Sequence, residues 1–173
     1  SVSIADISKT AAVPVQSLYN TFGDKKELYK RAMTHYGKMA NDPIIQSLES
    51  IENPLQALTE FARAWKRHIN ADADGGCFFT QALATANSAI DQCDASIPLA
   101  FTKRLRKVLI ARAREAADQG SLESDPDATA DALLTLAFGV AVMGRGGLPA
   151  VAIRRAVDTA MRLLGASENE NEP

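Results

Sequence analysis

Residues 3–25, SIADISKTAAVPVQSLYNTFGDK, read as two short helices with a sharp turn between them, and the rest of the chain is best understood outward from this stretch. Ser3 supplies an N-cap oxygen, and Asp6, three residues on, can answer it and favours the positive end of the helix. At about 100° per residue, Ile4, Ile7 and Ala11 share one narrow sector and leave Asp6 and Lys9 to water. Ala12 and Val13 make the turn. Pro14 restarts a helix in its first turn, where a missing N–H is no loss. On this second helix Val15, Leu18 and Phe22 form the inward sector, Gln16, Ser17 and Asn20 lie opposite, and Tyr19 stands on the flank between.

The outward face carries hydrogen-bonding groups and no charge. Gln and Asn side chains can pair bidentately with adenine in the major groove, Ser can bond a base edge or a phosphate, and a Tyr hydroxyl suits a phosphate. A helix-turn-helix that presents its second helix to DNA accounts for these choices together. Two amphipathic helices that merely belong to a bundle are the plainer reading, and the full motif outweighs it.

The stretch resembles the DNA-binding segment of the TetR family of transcriptional regulators. The residues that carry the resemblance are IADISKTAAVPVQSLYNTFGDKKELY (4–29), above all the Ala-Val-Pro turn, the Ser-Leu-Tyr-x-x-Phe helix, and Lys25, Glu27 and Leu28 after it. The resemblance implies a homodimeric repressor, relieved by a small-molecule effector, on a near-palindromic double-stranded DNA operator. It places Gln16, Ser17 and Asn20 at bases, and Tyr19, Lys25 and the Ser3 helix start at phosphates. Pro14 and Val15, where the second helix begins, complete the DNA-facing set. Family members carry a further helix ahead of this point, and Ile4, Ile7, Leu18 and Phe22 need a partner that two short helices cannot supply. The expectation is that the natural protein has that helix and this chain lacks it.

A chain of 173 residues, 46% hydrophobic, can bury one core and at most one small appended domain. No convincing strand pattern occurs, so the fold class is all-α: an N-terminal helix-turn-helix segment with its connecting helix (1–40), a helical ligand-binding and dimerisation domain (41–165), and a disordered acidic tail (166–173). No run reaches the roughly 18 apolar residues of a membrane span and no signal peptide opens the chain, so a cytoplasmic protein with no membrane partner is the default. Cys77 and Cys93 are too few for a disulfide framework or a metal site. The net charge of −2 hides an asymmetry: six cationic side chains oppose three acidic ones over residues 1–40, a net of +3, which leaves −5 for the remainder. A basic module on an acidic body suits an end that touches phosphate.

Further along, Gly23 ends the recognition helix, and Asp24 with Glu27 caps the next, whose stripe Leu28, Ala32, Tyr36 and Ala40 runs to about Asn41. Asp42 and Pro43 end it, and a loosely patterned, part-helical stretch follows through Ser50. Pro54 opens a helix in which Leu55, Leu58, Ala62, Trp65 and Ile69 recur at helical spacing, flanked by Phe61 and His68. That is ordinary core or one wall of a pocket. The resemblance favours the pocket, so Phe61, Trp65, His68, Phe78, Phe79, Phe101 and Met143 are the expected ligand-binding residues. Residues 71–76 read as a turn and 77–90 as a helix, with Cys77 in its first turn. There a thiol is either a reactive sensor or, on the plainer view, a small buried residue.

Residues 97–119 form a long helix on Phe101, Leu105, Val108, Leu109, Ala113 and Ala116, ended at Gly120. Its other side carries Lys103, Arg104, Arg106, Lys107, Arg112 and Arg114. Without interleaved stacking aromatics this is a solvated face and not a second nucleic-acid patch. Asp125, Pro126 and Asp127 start a helix that is apolar nearly all round from Ala132 to Met143 and therefore needs cover on two faces. Pro149 begins the last helix, on Ile153, Val157, Ala160, Met161 and Leu164. These two helices, 125–143 and 149–164, are expected to pair with the same two of a second subunit.

His35 and His68 stand in neither a nucleophile-base-acid nor a metal-ligand spacing, so no catalytic residue, metal, cofactor or enzyme activity is expected. The expected function is a ligand-responsive transcriptional regulator. The alternative is a helical dimer of the same shape that serves as a ligand- or protein-binding module without operator recognition, and the polar face of the 14–22 helix speaks against it.

Overall fold

The computed structural model describes residues 2–71, 77–85 and 95–164, and among these every regular element is helical. Helix α1 (Ile4–Ala11) opens with the reciprocal cap that its sequence suggests. The Ser3 hydroxyl accepts from the Asp6 N–H at 3.1 Å, while the Asp6 carboxylate accepts from the Ser3 N–H at 2.9 Å and from its hydroxyl at 2.6 Å. Such a cap is worth about 0.5–2 kcal/mol. Ala12 ends α1 in the left-handed region, at φ 52, and the Ser8 hydroxyl donates to the Val13 carbonyl at 2.7 Å across the turn.

Pro14 stands one residue ahead of α2 (Val15–Phe22) as its N-cap, its carbonyl accepting from the Ser17 and Leu18 N–H groups. Asp24 caps α3 (Lys25–Tyr36) by accepting from the Glu27 N–H at 2.8 Å. Along α3 the inward position is Met33, fully buried, with Tyr29 and Tyr36 half-buried beside it, whereas Ala32 is exposed.

The expected break at Asp42 and Pro43 does not occur. Helix α3 widens into a π-helical turn, Gly37–Asn41, and runs directly into α4 (Asp42–Ser50), which buries Ile45 and Leu48. The Asp42 N–H reaches back five residues to the Gly37 carbonyl. A continuous α-helix would press the Pro43 ring on the carbonyl four residues earlier; the wider turn relieves that clash and leaves Pro43 in the first turn of α4, where it is tolerated.

The body consists of α5 (Pro54–Ala71), α6 (Phe78–Thr85), α7 (Ser96–Asp118), α8 (Pro126–Arg145) and α9 (Ala150–Leu163). Its main core joins α4, α5, α7, α8 and α9 through Leu48, Leu58, Leu105, Leu109, Leu133 and Val157, each at most 3% exposed. A smaller cluster, centred on Met33, Phe79, Ala82 and Cys77, ties α3 to α6.

The basic run of α7 is a solvated face, as expected, and three of its exposed arginines also make ion pairs. Arg106 grips Asp131 with two bonds of 2.6 and 2.8 Å, Arg114 grips Asp127 at 3.0 and 2.9 Å, and Arg104 reaches Asp42 at 3.2 Å. Arg112 is largely buried and clips the α4–α5 junction to α7 by donating to the Ile51 and Glu52 carbonyls. Arg104, Arg106 and Arg114 remain exposed, as a solvated face requires; what the sequence did not show is that neighbouring helices bring carboxylates to them, and that Arg112 turns inward. By length and composition α8 could cross a membrane. Here it lies against α7 and α9 and carries two of those ion-paired aspartates.

Candidate nucleic-acid interface and effector cavity

The two helices at the N-terminal end leave one face of α2 open. Leu18, 6% exposed, anchors the inward side, and Phe22 is half-buried with the Arg31 guanidinium over its ring, 5.7 Å from the centroid. Gln16, Ser17 and Asn20 are exposed, as are Pro14, Val15 and Tyr19 at its edges. The Gln16 Nε2 donates to the Asn20 Oδ1 at 3.0 Å, one turn on. That bond holds both amides side by side, with the second N–H of Gln16 and the amide N–H groups of Asn20 left for other acceptors.

Lys25, exposed at the start of α3, lies close enough to Asp6 to help hold its carboxyl below the usual range; the larger causes are the side-chain and backbone hydrogen bonds from Ser3. The Ser3 N–H and hydroxyl are thus already engaged by Asp6, and a phosphate arriving at this helix start would have to compete with that carboxylate.

A cavity of about 390 Å³ opens between the π turn, α4 and α5. Phe61 and Trp65, edge to face at 6.5 Å, form part of its wall with Ile44, Leu48, Tyr36 and Cys77. Of the other residues expected at a ligand, Phe78, Phe79 and Phe101 belong to the adjoining aromatic cluster. Phe79 contacts Tyr36 at 5.4 Å and Phe101 at 5.5 Å, while Phe78 meets Tyr29 and Tyr36 edge-on at 5.6 Å. Met143 stands apart, 52% exposed, in a shallow outer hollow with Leu134, Phe138 and Val142. The His68 side chain and Cys93 lie outside the described residues.

Cys77 is buried, and the Tyr36 hydroxyl donates to its Sγ at 3.7 Å. Burial, and after it the adjacent Cys77, pushes the Tyr36 phenol up to about 12. Tyr36, Asn41 and Ser47, which also line the cavity, escaped the sequence reading. Their signal lay in the π turn, and only the position of Pro43 within an otherwise helical pattern hinted at that.

Three solved structures share this arrangement of helices. A cysteine-substituted TetR family transcriptional regulator, CifR, complexed with 26-base-pair double-strand operator DNA, superposes with a TM-score of 0.78 at 21% identity, over 92% of this chain and 85% of that one. A second cysteine-substituted CifR, also with operator DNA, gives 0.79 at 20% identity over 93% and 85%. This is the TetR-family fold. The reduced form of Escherichia coli NemR has the same TetR-like arrangement, with a TM-score of 0.74 at 16% identity over 93% of this chain and 85% of that one. No protein-family model matches the sequence, and no curated protein matches it significantly.

Proposed function

We propose that the chain is a TetR-type transcriptional regulator, a two-fold dimer whose α2 helices enter successive major grooves of a near-palindromic operator, about 34–36 Å apart. The observation that carries this is the exposed Gln16–Asn20 amide pair on a helix whose opposite side is anchored by Leu18. Gln16, Ser17 and Asn20 read bases; Tyr19, Lys25 and the Ser3 helix start face phosphates. The fold shared with CifR, solved on operator DNA in two cysteine-substituted forms, supports the reading.

The same reading assigns the cavity beside Phe61 and Trp65 to a small-molecule effector that relieves repression. Its position on the π turn, between the reading head and the body, supports this. Release follows only from a difference in effector affinity between the DNA-competent and DNA-incompetent forms. Dimerisation uses α8 and α9.

Selection of bound sequences from a random DNA pool tests the assignment. Recovery of a two-fold related pair of half-sites one helical turn apart is expected. Salt-dependent binding with no preferred site would instead favour a TetR-shaped binding module without operator recognition.

A further inference from the structure

The cavity wall is largely apolar, so most of an occupant's gain comes from leaving water. Asn41 departs from that pattern. It is the last residue of the π turn, lines the cavity, is 3% exposed, and its Nδ2 has no hydrogen-bond partner. A buried amide N–H left unpaired is destabilising and needs a reason. Among the described residues, Thr80 Oγ1 and Arg112 Nε share this condition, and neither residue lines the cavity. Two nearby polar groups of the wall are already engaged: the Tyr36 hydroxyl with Cys77, and the Glu60 carboxylate with Arg63 at 2.8 Å.

We propose that Asn41 selects the effector, and that the cavity takes an uncharged, mainly apolar small molecule bearing one strong hydrogen-bond acceptor, a carbonyl oxygen or its equivalent, which accepts from Nδ2. This rests on the effector-cavity reading above. The terminal torsion of an Asn side chain is broad, so the amide turns toward an occupant without leaving a rotamer well. Any net charge on the occupant is disfavoured by the largely apolar surroundings. Because Asn41 closes the π turn, the bond is made on the segment that joins the reading head's helix α3 to α4, at a local irregularity of a kind frequent at functional sites.

Trp65 is the chain's only tryptophan and lines the cavity, so its fluorescence reports occupancy. The intact protein is titrated with acetophenone and with ethylbenzene, which are close in size and differ in the carbonyl oxygen. Both titrations are repeated on Asn41→Leu, which keeps the volume and removes the donor, and on Asn41→Ala, which removes the donor by truncation. The ketone is better hydrated in water, so the decisive quantity is the ratio of the two dissociation constants within each variant. That ratio is expected to move about tenfold or more toward ethylbenzene in both variants, the worth of one hydrogen bond to a buried group. A ratio unchanged within about twofold, with both probes still bound, overturns the role of Asn41 and leaves the cavity reading standing. No saturable binding of either probe to the unaltered protein overturns both.

Discussion

A β-carbon built on Gly37 stands 3.2 Å from Cζ of Phe79, closer than side chains ordinarily approach. Gly37 opens the π turn, and Phe79, 1% exposed, is fixed between Tyr36 and Phe101, so neither side has slack. In a free helix Gly→Ala would gain about 1 kcal/mol. Here overpacking, at about 1–3 kcal/mol, outweighs that gain. Gly37→Ala should therefore lower stability by about 1 kcal/mol in denaturant titration, and combining it with Phe79→Leu should cost less than the two single effects added. A more stable Gly37→Ala protein would show that the ring yields freely.

The α2 face yields two distinguishable outcomes. If α2 reads bases as proposed, Asn20→Ala should relax preference at one operator position, with a loss of about 1–3 kcal/mol for the favoured base. Lys25→Ala should weaken all sequences alike and make the salt dependence shallower. Both side chains are exposed, so thermal stability should stay nearly constant, which separates loss of reading from loss of folding. Unchanged sequence preference in Asn20→Ala would remove that residue from the interface.

The reading head was legible because its signals are local. The Ser3–Asp6 cap, the Ala12 turn and the inward Leu18 of α2 each depend on neighbours within a few residues and stand where the sequence puts them, whereas Val15, read into the same inward sector, is 38% exposed. Long apolar spacing was enough for α7, down to the left-handed Gly120 after its end. What could not be read depends on partners far along the chain. Arg106 and Arg114 are exposed as expected, but nothing near them in sequence shows that α8 brings Asp131 and Asp127 to them. Pro43 looks like a helix stop until the π turn accommodates it. Phe61 and Trp65 share the cavity, but Phe79 at similar hydrophobicity packs into the cluster beside it, a distinction set by tertiary geometry and not by residue type.

Tyr36 supplies a pH signature. Its phenol is raised from the ordinary 10.0 to about 12, chiefly by burial and next by Cys77. The neutral form is thus favoured in the folded state. Its contribution to stability is fully present below pH 10 and is lost as pH rises from about 10 toward 12, as the unfolded chain ionises first. Tyr36→Phe should flatten the fall in stability over that interval, followed by thermal melts at successive pH values. Phenolate absorbance of the native protein should show a component ionising near pH 12 that Tyr36→Phe removes. A phenolate titration left unchanged above pH 10 by Tyr36→Phe would mean that the hydroxyl is not shielded.

The exposed apolar side chains on α8, α9 and the loop between them call for cover. Val142 is 53% exposed, Met143 52%, Leu148 42% and Val151 47%, although the buried sides of the same helices are almost closed to water. A self-complementary pairing of these helices with a second copy would remove that surface from water, and two-fold symmetry doubles each contact. Sedimentation at micromolar concentration should give a dimer-sized species. Val142→Asp and Val151→Asp should each raise the dissociation constant tenfold or more, since a carboxylate would be buried twice without a partner. Thermal stability of the dissociated chain should change little, because both positions are already open to solvent within one protomer. Operator affinity should fall with the dimer, as a single reading head then holds only one half-site. A monomer-sized unaltered protein would sink the dimer itself, and aspartate variants that still dimerise normally would place the contact on some other face.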